Sequence, residues 1–329
     1  MSSSSPRYDI VTIGEGLLRL ATSRYERLEQ TATFDVHVAG EAIEIAVVMS
    51  RLGLSAAWLS VLTDNPLGRK IVNKAREQGI DTSWIRWVKE GRIGLAYTES
   101  GSAPRASRLI EDLEATGFGR IQEKGMDWSL LSTSRLLHID SIVPVLYPDS
   151  IASLETGLAA AKDAGCRICV CMDDTIEACS DDARQRVFSI AEQADVIIAT
   201  RAAAECISEG TDTLEGLSVV LKNRFRSSVA AVVEGSLPTP RAGVWQGIAL
   251  EDTVYRDRSY DLEVIDSAGA FSAFAGGFLY GYLEEGVDAG LRYGNAAAAL
   301  AHSVPGNLPW ITAEEITSQF SGAGSKLQR

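Results

Sequence analysis

The residues best placed to do chemistry lie in the run Asp266-Ser-Ala-Gly-Ala-Phe-Ser272, which passes from a turn of small residues into the apolar stretch Ala273 to Leu283. Gly269 and Ala270 stand where a loop becomes a helix, so unpaired backbone N–H groups and the positive end of the helix dipole converge there. That is a seat for an anion, and for phosphate in particular. The residues after Ala273 are small or apolar on every face, as expected of a helix buried in the core. The five cysteines raise a second chemistry, because Cys166, Cys169, Cys171 and Cys179 fall close together. Their spacing matches no zinc pattern well, and Cys166 to Cys171 reads as a buried strand, where cysteine behaves as a small hydrophobe. No metal is expected. His37, a lone histidine among apolar neighbours, reads as a packed or surface residue, and His302 suits the end of a helix.

The elements that must hold these residues follow from composition and pattern. A chain of 329 residues suits two domains, or one large α/β domain with a small appendage. Apolar residues make up 46% and charged residues 23%, enough for a full core and against disorder. The formal net charge of -13 argues against nucleic acid or an anionic membrane as partner, because nothing would neutralise phosphates in bulk. The N-terminus carries no apolar leader and no run reaches the ~20 residues of a membrane span. With an odd number of cysteines, a reducing, cytoplasmic location is expected.

Tyr8 to Ile13 reads as a strand ended by Gly14-Glu-Gly16. Short alternating pieces from Leu17 to Val38 suit a small antiparallel sheet with one face covered. Gly40 to Gly53 reads as a helix closed by glycine, Ala56 to Leu62 as a strand, and Asp64 onward as another helix. Gly91 to Asp112 returns to the small sheet as two strands. From Leu136 strands and helices alternate: Leu136 to Asp140, a helix near 149–164, Arg167 to Met172, a helix near 181–193, Val196 to Ala199, helices near 202–209 and 214–225, then Val229 to Val233. That rhythm predicts a mostly parallel sheet flanked by helices, with ligands at the carboxyl ends of its strands. The alanine-rich run Leu291 to Leu300 reads as a helix.

The 266–272 run resembles the C-terminal signature Asp-Thr-x-Gly-Ala-Gly-Asp of the ribokinase (PfkB) superfamily of carbohydrate kinases. Phe34-Asp-Val-His-Val38, Arg51-Leu-Gly-Leu54 and Asp64-Asn-Pro-Leu-Gly-Arg69 are similar to 2-keto-3-deoxygluconate kinases in particular. The resemblance runs from Tyr8 to about Ile316. It implies a ribokinase-like α/β fold, with a main domain over 1–14, 39–90 and 115–329 and a β lid over 15–38 and 91–114. It implies Mg-ATP as cofactor if the chain is active, a small-molecule ligand, and a homodimer through the lid.

The same resemblance implies site roles, and this chain departs from several. Ser272 stands at the position of the catalytic base and Phe271 at the glycine before it, leaving Gly269, Ala270 and Phe271 as the remnant of the anion hole. General-base help of roughly 10²–10⁴-fold would then be missing. On the nucleotide side the family's Asn-x-x-Glu becomes Thr200 and Ala203, with Glu234 and Asn295 nearby. On the sugar side stand Gly40, Glu44 at an asparagine position, Ala96, Arg105, Glu111, Leu113, Asp173 and Thr175. A site for an anionic sugar wants arginine forks, and this part of the chain offers Glu111 and Glu114 instead. The expected function is a sugar-kinase homologue that has lost phosphotransfer and serves binding or regulation. Two alternatives stand beside it: an active kinase for a neutral or cationic substrate, with Glu44, Glu111 or Asp173 as base, and a dimeric interaction protein.

Overall fold

The computed structural model describes residues 7–122, 125–208 and 210–320. The strands are β1 (Tyr8–Ile13), β2 (Leu17–Thr22), β3 (Phe34–Ala39), β4 (Ala56–Thr63), β5 (Ile85–Val88), β6 (Gly94–Glu99), β7 (Arg108–Asp112), β8 (Ser134–Asp140), β9 (Arg167–Met172), β10 (Val196–Thr200), β11 (Val229–Thr239), β12 (Ala242–Leu250), β13 (Val254–Arg256) and β14 (Tyr260–Glu263). Ten build the main sheet in the order β13-β12-β11-β10-β9-β8-β1-β4-β5, with β14 also paired to β12. Pairing is parallel from β5 to β11 and antiparallel from β11 outward. The central strands carry apolar residues on both faces because helices cover both, the rule for parallel sheets. One face packs Ile10, Cys169, Cys171 and Ile198 under the helices Glu41–Arg51, Ala270–Glu284 and Val287–Ala301. The opposite face packs Val11, Ile13 and Val170 against Leu158, Val187 and Phe225.

The second sheet, β3-β2-β6-β7, is the lid. Its register puts Arg19 opposite Ala96, and Ala96 opposite Glu111, so these share the face turned toward the main domain. The expected parallel sheet and separate small sheet are both present, but the small sheet is mixed where an antiparallel one was expected, because β2 and β6 pair in parallel. Also unanticipated are β5, the antiparallel strands β12 to β14, the short helices Ile142–Leu146 and Thr175–Ala178, and the helix Ala313–Phe320. The helix expected over 202–209 runs only from Arg201 to Glu205, and Glu209 lies outside the described residues. Gly53, as expected, follows the helix Glu41–Arg51 with φ +97. No helix among the described residues is long and apolar enough to cross a membrane.

Candidate functional site

Between the lid and the carboxyl ends of β1, β8, β9 and β10 lies a cleft of about 570 Å³. Two glycines shape its floor. Gly40 has φ +132, and a Cβ there would come within 2.2 Å of the Glu15 carbonyl, so only glycine lets the helix Glu41–Arg51 start against the β1 turn. Gly269 has φ +76, and its Cβ would meet the Asn307 carbonyl at 2.2 Å. That turn starts the helix Ala270–Glu284, whose first i→i−4 bond is Ala273 N–H to the Gly269 carbonyl at 2.8 Å. The N–H groups of Phe271 and Ser272 precede it and face no helical acceptor. Phe271 is half-buried, packs against the core and also lines the cleft.

Ser272 is not without a neighbouring base. Its Oγ donates to Glu44 Oε2 at 2.7 Å, and Glu44 Oε1 accepts the Gly40 N–H at 3.0 Å. Burial pushes the Glu44 carboxyl above its ordinary range, and the Ser272 and Gly40 bonds only partly offset that. Glu41 and Asp140 are pushed well up, first by burial and then by neighbouring carboxylates, Asp173 and Glu44 for Glu41 and Glu41 for Asp140. Asp173 is also raised, chiefly by burial, while its Oδ1 accepts the Thr175 N–H at 3.0 Å. Across the cleft, partial desolvation and the charge of Asp173 raise Glu111 on β7. Glu15, which accepts the Tyr147 hydroxyl, is pushed up to about 7 by burial.

Arginine is scarce here. Arg19 and Arg108 are the arginines lining the cleft among the described residues. Arg19 reaches from the lid to bond both carboxylate oxygens of Asp266, with Nη1 to Oδ1 at 3.1 Å. Asp266 also accepts N–H groups from Ala268 and Gly306, each at 3.0 Å. Burial would raise this carboxyl, but the arginine and backbone donors hold it below its ordinary range.

Of the expected site residues, Gly40, Glu44, Ala96, Glu111, Leu113, Asp173, Thr175, Thr200, Gly269, Ala270, Phe271 and Ser272 all line this cleft. Thr200 caps the helix Arg201–Glu205 and donates to Asp174 Oδ1 at 2.6 Å. Four residues lie elsewhere. Arg105 pairs with Glu99 and donates to the Tyr25 carbonyl at 2.7 Å. Ala203 is fully buried. Glu234 accepts from Arg201 at 2.8 Å and from Gln246 at 2.9 Å. Asn295 is fully buried, receiving Trp245 Nε1–H and donating to Asp257, both at 3.2 Å. Sequence reasoning missed Glu15, Arg19, Glu41 and Asp140. The rule that ligands gather beyond strand ends pointed to Glu15 and Asp140, which stand just after β1 and at the end of β8.

A family profile described as pfkB family carbohydrate kinase matches residues 8–310. The chain belongs to that family. This pfkB-family protein is 28% identical over 323 residues to a 2-dehydro-3-deoxygalactonokinase of Haloferax volcanii, covering 98% of this chain and 99% of that one. It is 28% identical to a 5-dehydro-2-deoxygluconokinase of Bacillus subtilis, covering 94% of each. Among solved structures it is similar to a 2-dehydro-3-deoxygluconokinase of Thermotoga maritima, with TM-score 0.87, 26% identity and coverage of 95% of this chain and 99% of that one. A sugar kinase of Pyrococcus horikoshii, solved in complex with ATP, shares the fold at TM-score 0.72 and 20% identity over 93% of this chain and 96% of that one. The pfkB-family protein is therefore a sugar-kinase relative along nearly its whole length.

Proposed function

We propose that this pfkB-family protein has lost phosphoryl transfer and uses its lidded cleft to bind a neutral or cationic small molecule, in a binding or regulatory role in the cytoplasm. One observation carries the reading: Ser272, at the base position, spends its hydrogen bond on Glu44 on a floor that also holds Glu41, Asp140 and Asp173. Phosphoryl transfer depends on positioning and on cations that offset charge spread over three oxygens. Two like charges 4 Å apart at a protein surface repel by about 4 kcal/mol. Arg19, the buried cation of the cleft, already serves Asp266. The phosphate seat at the helix start persists, with acids set around it.

The Glu44–Ser272 contact also favours a second reading, an active kinase with altered substrate. A carboxylate of raised proton affinity at that spot is suited to take a proton from a substrate hydroxyl. Mg-ATP would then be the phosphoryl donor. Calorimetric titration with Mg-ATP and Mg-ADP, beside a coupled phosphotransfer assay over sugars, sugar acids and amino sugars, separates the two. The expected result is no turnover above the enzyme-free rate. Turnover that disappears in Glu44→Gln would overturn the first reading and establish the second.

The lid has an outward face as well. Val36 pairs with Leu20, Leu20 with Tyr97 and Tyr97 with Ile110, which makes an apolar row across four strands with Val36 and Ile110 exposed. This supports a homodimer through the lid. Sedimentation should then give a dimer for the native chain and a monomer for Ile110→Asp.

A further inference from the structure

Beneath the cleft floor, β8 and β9 run parallel with His138 opposite Cys169 and Asp140 opposite Cys171. Alternate residues of a strand share a face, so these four side chains point the same way, toward the helix Glu41–Arg51. The ligand atoms of His138, Cys169 and Cys171 all lie within 4.8 Å of one another, and all three residues are 0% exposed. Glu41, in the first turn of the helix, stands beside this trio and not within it, its Oε1 3.2 Å from His138 Nε2. Despite that approach the geometry is not that of a hydrogen bond. Both ring nitrogens of His138 and Oε1 of Glu41 are buried without a hydrogen-bond partner.

Buried polar atoms nearly always have a partner, and an exception calls for a cause. Three unpartnered atoms, two of them on a wholly buried imidazole, sit beside a pair of buried thiols. A single cation would satisfy one of those ring nitrogens together with the two thiols. Two thiolates and an imidazole supply three of the four ligands of a tetrahedral zinc site, at about 2.3 Å from sulfur and about 2.0–2.1 Å from nitrogen. Thiolate sulfur disfavours magnesium and calcium, which take oxygen ligands. A dication here would also offset the repulsion between Glu41 and its acidic neighbours Asp140, Asp173 and Glu44.

We propose that a ring nitrogen of His138 and the sulfurs of Cys169 and Cys171 bind one zinc ion under the cleft, with a rotation of the neighbouring Glu41 side chain bringing in the fourth ligand. The two thiols lose their protons to solvent as the metal–sulfur bonds form, and no electron is transferred. Because Glu41 lines the cleft while the other ligands lie below it, the ion would tie the floor of the ligand site to the centre of the sheet.

The test uses the full-length protein. Plasma mass spectrometry of the purified chain should find about one zinc per chain, falling at least tenfold in Cys169→Ser and Cys171→Ser and unchanged in Cys206→Ser. Because the first two variants alter the core, a second measurement needs no mutation: Co²⁺ added to chelator-treated native protein. It should produce thiolate-to-cobalt charge-transfer absorption that one equivalent of zinc removes. A native chain without stoichiometric zinc that also gives no charge-transfer band with Co²⁺ would overturn the proposal. Zinc content that survives Cys169→Ser would overturn it too.

Discussion

At one end of the cleft Asp266 is enclosed by donors: the Arg19 guanidinium and the N–H groups of Ala268 and Gly306. On the floor, the charged neighbours that bear on Glu41, Asp140 and Asp173 are other carboxylates. The residue types are the same and both regions are largely buried, yet the Asp266 carboxyl is held down while the others are pushed up. Burial alone disfavours the charged form in either place. Burial sets the upward shift on the floor, and the lid reverses it at Asp266 by placing its arginine there, while its Glu111 adds a further acid across from Asp173. The first contact clamps lid to body. The second makes the interior of the same cleft hospitable to positive charge.

The largest way to break this contrast is Arg19→Ala, which leaves Asp266 buried without its cation. Removing one partner of a buried pair costs about 3–5 kcal/mol, and urea unfolding should show a loss near the lower end. The Asp266 contribution has a definite pH sign. Its folded pKa is depressed, so the stabilisation is present above the ordinary 3.8 and is lost as pH falls through the folded value. In Arg19→Ala that acid-side loss should shrink.

Glu15 should behave oppositely. Its carboxyl is raised from 4.5 to about 7, so between those values the folded state holds a proton that the unfolded state has released. The Glu15 contribution to stability is therefore most favourable below 4.5 and falls as pH rises to 7, by about 3 kcal/mol. Thermal melts of Glu15→Gln across pH 5 to pH 7 should lack that slope, and a native-like slope in the variant would count against the assignment. The smallest effect is expected from Asp140→Asn. The amide oxygen still accepts the Ile142 N–H, seen now at 3.0 Å, while one buried charge beside Glu41 disappears. At pH 8 the variant should be more stable than the native chain, because burial and the neighbouring carboxylates oppose ionisation of Asp140. Destabilisation would mean that Asp140 has a cationic partner.

Local pattern carried much of the fold. Val-, Ile- and Leu-rich runs marked the main-sheet strands β1, β4, β8, β9, β10 and the first half of β11, though not β5, and Gly53 marked a helix end. The hairpin of β11 and β12 was not legible. Its strands carry Gly235, Pro238 and Gly243, residues that weaken a strand signal, and Pro240 lies in the turn between them. The phosphate seat at Gly269 and the odd residues Phe271 and Ser272 were also visible, since a helix start is a local event.

What the sequence by itself determined about this protein is the alternation of strand and helix, the family, and which site positions carry unusual side chains. Tertiary structure alone decided what those side chains meet: Ser272 against Glu44 across 228 residues, Arg19 against Asp266 across 247, and His138 beside Cys169. The cysteines, read along the chain, matched no metal pattern because their histidine lies on the neighbouring strand, a whole helical crossover earlier. In a parallel sheet, lateral neighbours are chosen by crossover and register. Neither is written in any short stretch of residues.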